Sequence, residues 1–214
     1  MSQSREMNYT CPYCHETFTI QVYDSVNANE DTDLREKALS GDLFRHECPS
    51  CHKQFMVQNP LIYTDREHKF VLWLSQNEVG NVLTKYAAPL AKQGFKLRRV
   101  STIQEFIEKI EIFEDGMDDV AVELAKYDSF IEFLDNKKGK AEDVTSIEYQ
   151  RTKDEVMKIN IRMADKGVSF LIPVNMIEEE LKAEKDLYEI HDEDFPLINA
   201  DWILTLFQKC QGKV

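Results

Sequence analysis

Seven glycines in 214 residues leave little material for a loop that cradles phosphates. The chain has no G-x-x-x-x-G-K-[S/T], no G-x-G-x-x-G, no G-x-S-x-G and no H-E-x-x-H. The common signatures of nucleotide binding, serine hydrolysis and zinc proteolysis are therefore missing. No apolar run approaches the ~20 residues of a membrane span. Met1–Asn8 is polar and lacks the apolar stretch of a secretory signal. Basic charge is scarce as well: 26 Lys and Arg stand against 39 Asp and Glu, for a net charge of −13. No Lys/Arg cluster marks a phosphate-binding footprint, and Arg98-Arg99 is the one adjacent arginine pair. A nucleic-acid partner is disfavoured on that charge. Together these absences lead us to expect a cytoplasmic protein without membrane association.

Cysteine is scarce too, but its placement is not random. Residues 11–21 read C-P-Y-C-H-E-T-F-T-I-Q and residues 48–58 read C-P-S-C-H-K-Q-F-M-V-Q, with six of eleven positions identical. Two C-x-x-C pairs supply the four thiolates of a tetrahedral metal site. Pro12 and Pro49 fix φ just after the first cysteine of each pair, which stiffens each turn. In a reducing compartment paired cysteines serve as metal ligands more often than as disulfides. The expectation is one structural Zn²⁺ on Cys11, Cys14, Cys48 and Cys51. With four protein sulfurs bound, no position stays open for water or substrate, so the site is not catalytic. Cys210 is remote from the other four and reads as a packed or free thiol.

Three other chemistries fit less well. C-P-Y-C is similar to a glutaredoxin redox centre, but that centre precedes a helix, and here Phe18, Ile20 and Val22 alternate with Thr17, Thr19 and Gln21 as a strand does. C-x-x-C-H occurs twice and matches haem attachment in form, yet that chemistry needs export. His46-Glu47-Cys48 departs from the deaminase pattern, which wants His-x-Glu and then Pro-Cys-x-x-Cys. His15, His46 and His52 read as neighbours of the site rather than ligands. The acidic runs Glu178–Glu180 and Asp192–Asp194 read as solvated faces. Trp73, Tyr188, Phe195, Trp202 and Phe207 read as core.

Periodicity predicts a mixed chain. Asp31–Ser40 reads as a short helix ended by Gly41, and Phe70–Leu74 as a central strand. Ser75–Asn81 reads as a polar loop. Ser101–Phe113 reads as a helix with Thr102 and Glu105 as a capping box. Asp118–Asp135 reads as a second helix with one apolar face, followed by a charged loop at Asn136–Lys140. Ser146–Arg151, Val156–Arg162 and Val168–Val174 read as strands, and Met176–Leu187 and Asn199–Gln208 as closing helices. Helices followed by a run of strands indicate an α+β fold. The expected order is an N-terminal zinc-ribbon-like β module with a short helix, then helices, then a small antiparallel sheet.

The two Cys-Pro-x-Cys motifs, the strand Phe18–Val22, the segment Tyr23–Ala28, the stretch Gly41–Arg45 and the exit into Pro60–Tyr63 together resemble the bacterial CpXC family. The likeness is close over residues 8–74 and extends through Ile112–Asp119. It implies a paired cysteine site and carries no activity with it. One departure is histidine at 15 and 52, where glycine is frequent. Histidine tolerates a positive φ less well than glycine. The expected organisation is a CpXC-like region at 8–135, with a zinc-ribbon module at 8–74 and a helical part at 101–135. Residues 136–214 form a C-terminal α+β segment, either separate or completing the same fold. The favoured function is a zinc-stabilised interaction module whose partner is another protein. The alternatives are a nucleic-acid-associated zinc ribbon and an enzyme with its site in residues 76–214.

Overall fold

Two hairpins begin the fold, and the cysteine turns stand at their tips. In the computed structural model, which describes residues 1–77, 81–136, 139–152 and 155–211, β1 (Gln3–Thr10) pairs antiparallel with β2 (Thr17–Asn27). Side chains at 81–84, 210 and 211 lie outside the description, so the reading of Cys210 falls there, as do parts of the loops expected at 75–81 and 136–140. α1 (Thr32–Ser40) follows, and Gly41 ends it at φ 76°. Asp31 makes no side-chain cap, because its carboxylate accepts from the backbone N–H and hydroxyl of Ser2. The second hairpin, β3 (Arg45–Glu47) and β4 (Gln54–Met56), is only three residues on each side.

The chain divides into two compact units, Met1–Ile110 with His191–Leu197 and Glu111–Ile190 with Ile198–Val214. In the first, β5 (Leu61–Asp65), β6 (Phe70–Leu74) and β7 (Lys96–Val100) complete a sheet of order β1-β2-β5-β6-β7. β2 and β5 run parallel, as do β6 and β7, while β5 and β6 are antiparallel. Phe70–Leu74 is paired on both sides, as its unbroken apolar run predicts. α2 (Asn81–Lys92) joins β6 to β7, since a parallel pair needs a crossover. The core holds Phe44, Tyr63, Phe70 and Phe106, each almost fully buried. The ring of Phe106 meets Phe44 and Tyr63 edge-on, with both centroid distances 5.6 Å. Phe106 lies on α3 (Ile103–Glu114), whose start carries the expected box: the Glu105 amide donates to Thr102 Oγ1 at 3.1 Å and Glu105 Oε2 accepts from the Thr102 amide at 3.3 Å.

The second unit is α+β in its own right. α4 (Asp119–Asp135) is capped by Asp118, whose Oδ1 accepts from the Val120 amide at 2.9 Å. Its residues from Asp119 to Lys126 are all buried; the apolar face expected there is in fact a fully enclosed first half. The meander β8 (Val144–Gln150), β9 (Val156–Met163) and β10 (Gly167–Pro173) is antiparallel throughout, as expected. Phe133 of α4 packs with Ile161, Met163 and Phe170 on one sheet face. Gly139 passes so close that a Cβ there would lie 2.4 Å from Phe133 Cζ. α5 (Val174–Ala183) and α6 (Ala200–Gln211) close the unit, with Tyr127 stacked on Phe207 at 4.6 Å. Among the described residues, no helix is long and apolar enough to cross a membrane.

Candidate metal centre

Each C-P-x-C-H segment is the loop of a hairpin, and the two loops fold alike. The Cys11 amide donates to the Glu16 carbonyl at 2.9 Å, and the Cys48 amide to the Lys53 carbonyl at 3.1 Å. The His15 amide returns to the Cys11 carbonyl at 3.1 Å, and the His52 amide to the Cys48 carbonyl at 2.9 Å. Closing so tight a loop puts the residue after the second cysteine in the left-handed region: His15 has φ 62° and His52 has φ 56°. Both take a conformation that glycine adopts more easily than histidine. The Tyr13 amide faces Cys11 Sγ at 3.4 Å, a donor aimed at sulfur that a knuckle supplies.

The paired loops bring all four sulfurs within 4.8 Å of one another. Cys11 and Cys48 are fully buried, Cys51 is half-buried and Cys14 is exposed. Cys11 and Cys51 approach to 3.7 Å, and Cys14 and Cys48 to 3.5 Å. All four are free thiols. Four sulfurs of this spacing, two from each rigid turn, are compatible with a metal ion at their centre.

The electrostatics point the same way. Burial pushes the Cys11 thiol up, but backbone hydrogen bonds at Cys14 and Tyr13 and the Cys14 and Cys48 thiols together bring it down to about 6. At Cys14 the backbone at Glu16 favours the thiolate, yet burial and the sulfurs of Cys48, Cys11 and Cys51 raise it to about 12. One thiolate is welcomed and a second is resisted, because like charges packed this closely oppose each other. A divalent cation removes that opposition.

Beneath the sulfurs lies an apolar platform of Ile20, Val22, Phe55 and Val57, with Met7, Tyr9 and Phe18 at its margin. Tyr9 stacks on Phe55 at 5.1 Å, and Phe18 meets Phe55 edge-on at 6.2 Å. His46 tilts over the same ring at 6.2 Å, and burial holds its imidazole below the usual range, so it stays neutral. His52 Nδ1 lies 3.1 Å from Glu47 Oε1. Lys53 Nζ sits 4.8 Å above the Tyr13 ring, linking the two loops. The pattern reading named the cysteines and Phe55 but not Tyr9, since β1 has a polar sequence. The signal available was register: the hairpin that closes on Cys11 must place Tyr9 opposite Phe18.

Other candidate groups are engaged elsewhere. Arg98 is buried and donates to Asp192 Oδ1 and to the Leu97 carbonyl. Asp192 is therefore the counter-ion of a buried arginine rather than part of a solvated face. Arg99 Nη1 donates to the Asn77 carbonyl at 3.0 Å. A cavity of about 420 Å³ in the second unit is bordered by Asp115, Tyr149, Arg151, Thr152, Glu155 and Glu178. Several of its polar groups are paired: Tyr149 donates to Asp115 at 3.0 Å, Arg151 pairs with Asp115 at 2.6 Å, and the Thr152 hydroxyl donates to the Val156 carbonyl. Burial, together with the charge of Asp115, keeps the Tyr149 phenol protonated.

A family model described as CpXC protein matches residues 9–126. Among curated proteins and among solved structures, none matches.

Proposed function

The chain belongs to the CpXC family, and from that premise we propose that it is a zinc-stabilised module that acts by binding another protein. The observation that carries the zinc reading is the convergence of four cysteine sulfurs within 4.8 Å at the tips of two hairpins. With zinc–sulfur bonds near 2.3 Å, the edge of a regular tetrahedron is about 3.8 Å. The approaches of 3.5 and 3.7 Å lie close to that edge. Cys11, Cys14, Cys48 and Cys51 hold the ion, and an all-thiolate set favours zinc over hard cations. Four sulfurs close the coordination, so the ion's role is to join the hairpins. Four thiolates around one divalent ion leave a local charge of −2.

Several features favour a protein partner over a nucleic acid. The chain is strongly acidic, and Arg98, half of its only arginine pair, is buried against Asp192. Tyr13, half-exposed in the first cysteine turn, offers apolar contact area.

Zinc binding contributes on the order of 10 kcal/mol to folding the two hairpins. Elemental analysis of protein purified under reducing conditions is expected to find zinc. Cys48→Ala is expected to lose the metal and to unfold the hairpins, seen as lost near-ultraviolet dichroism from Tyr9 and Phe55. An unchanged melting curve with full metal content would sink the zinc reading. Binding to DNA or RNA that weakens steeply with salt would replace the protein partner by a nucleic acid.

A further inference from the structure

Two of the close sulfur pairs span the knuckles. Cys14 faces Cys48 at 3.5 Å, and Cys11 faces Cys51 at 3.7 Å. Each pair also joins one reachable sulfur to one enclosed sulfur. Cys14 is exposed and Cys51 half-buried, whereas Cys48 and Cys11 are fully buried. That is the arrangement of an attacking thiolate that meets an oxidant and a resolving thiolate that waits behind it.

We infer that a hydroperoxide converts this centre into two disulfides between the knuckles, Cys14–Cys48 and Cys11–Cys51, releasing the metal while keeping the hairpins joined. The inference rests on the four-thiolate metal centre proposed above. The first step starts at Cys14. Its thiolate attacks the hydroxyl oxygen of the peroxide, an S–O bond forms, the O–O bond breaks and the departing hydroxide or alkoxide takes a proton to become water or an alcohol. The Cys14 sulfur loses two electrons and the peroxide gains them. The Cys48 thiolate then attacks the Cys14 sulfur, forming the S–S bond and expelling the oxygen as hydroxide, which is protonated in turn. The ion has now lost two anionic ligands and is released. A second peroxide takes Cys51 and Cys11 through the same two steps.

The consequence differs from that of ordinary metal loss. Disulfides inside each C-x-x-C would leave no crosslink between the loops. Disulfides across the knuckles replace a metal crosslink by two covalent ones at the same place. The platform of Tyr9, Phe18 and Phe55 then keeps its packing. The oxidised module stays folded without metal, and thiol reductant with zinc restores the original centre.

The test uses the full chain, loaded with zinc under reducing conditions and freed of reductant. Hydrogen peroxide is added in the presence of a chromogenic zinc chelator and dimedone in one arm, and without dimedone in another. The expected result is zinc release at the rate of thiol loss, with dimedone on Cys14 at the lowest doses. Trypsin cuts after Arg5, Arg35, Arg45 and Lys53. Unreduced digests are therefore expected to show the peptide 6–35 joined to the peptide 46–53, with fragmentation assigning Cys14–Cys48 and Cys11–Cys51. Two separate, internally bridged peptides overturn the inference, and so do the crossed pairs Cys11–Cys48 and Cys14–Cys51. Zinc retained after the thiols are consumed overturns it as well. Near-ultraviolet dichroism of the oxidised, zinc-free chain is expected to match that of the zinc form, while the reduced, chelated chain loses the signal. A chain purified without zinc removes the zinc reading and the metal release with it; the disulfide map then judges the cross-knuckle pairing by itself.

Discussion

His15 and His52 occupy the positions where the knuckle geometry is hardest on the chain. Both stand at positive φ, a region that costs a non-glycine residue roughly 1–2 kcal/mol. Both residues are exposed; the His52 pair with Glu47 is exposed on both sides, and such pairs contribute little. His15→Gly is therefore expected to stabilise the metal-loaded protein by about 1 kcal/mol. The measurement is a denaturant titration, with a higher midpoint at unchanged slope. A lower midpoint would show that the imidazole makes a contact worth more than the strain. The four cysteines were fully legible in the sequence, because two copies of one motif announce a shared purpose. The roles of Cys14 as the open edge of the centre and of Cys11 and Cys48 as its buried floor were not legible. Exposure is set by what packs over a loop, and no local pattern encodes it.

Among the elements, those with strong local signals were read well and those formed by pairing were not. α3 has its capping box and α1 its terminal glycine, and both were legible. β1 is exposed along most of its length and alternates only at Met7 and Tyr9; it is a strand because β2 offers it a partner. α2 and β7 were also missed. Pro89 stands inside α2, where its missing N–H argues against a helix. β7 reads Lys-Leu-Arg-Arg-Val, a surface composition, yet Arg98 is inside because Asp192, 94 residues away, neutralises it. On α4, enclosure displaces the Asp128 carboxyl from its usual value. Burial, with help from the charge of Glu180, lifts its carboxyl from 3.8 to about 6. A raised carboxyl binds its proton more tightly in the folded state. Its contribution is thus fully favourable below the ordinary carboxylate range and is lost as pH rises through about 6. Asp128→Asn is expected to stabilise the protein at pH 8 by on the order of 2 kcal/mol. Thermal melts across pH should show that gain shrinking below pH 6 and vanishing near pH 4. A gain independent of pH would mean that ionisation of Asp128 is not its source.

At the scale of the whole molecule, the two units differ in what holds them. The hairpin β3–β4 has three residues per strand, too few to be stable alone, and on the proposed function it relies on a metal held at Cys48 and Cys51. The meander β8–β10 rests on the packed cluster of Phe133, Ile161, Met163 and Phe170. Chelation under reducing conditions is therefore expected to abolish amide protection in β3 and β4 while leaving that of β8–β10 intact. Hydrogen exchange followed by mass spectrometry reads both at once, and equal loss in the two units would refute the distinction. The α+β class, the four clustered cysteines and the acid excess were determined by the sequence alone, since composition and local repeats carry them. The tertiary structure alone decided which sulfurs face each other, which of them meets solvent and why an arginine pair makes no basic patch. These depend on contacts between residues tens of positions apart, whose geometry is set by strand register and packing. The doubled C-P-x-C-H names a site; the pairing of two hairpin tips decides what that site can do.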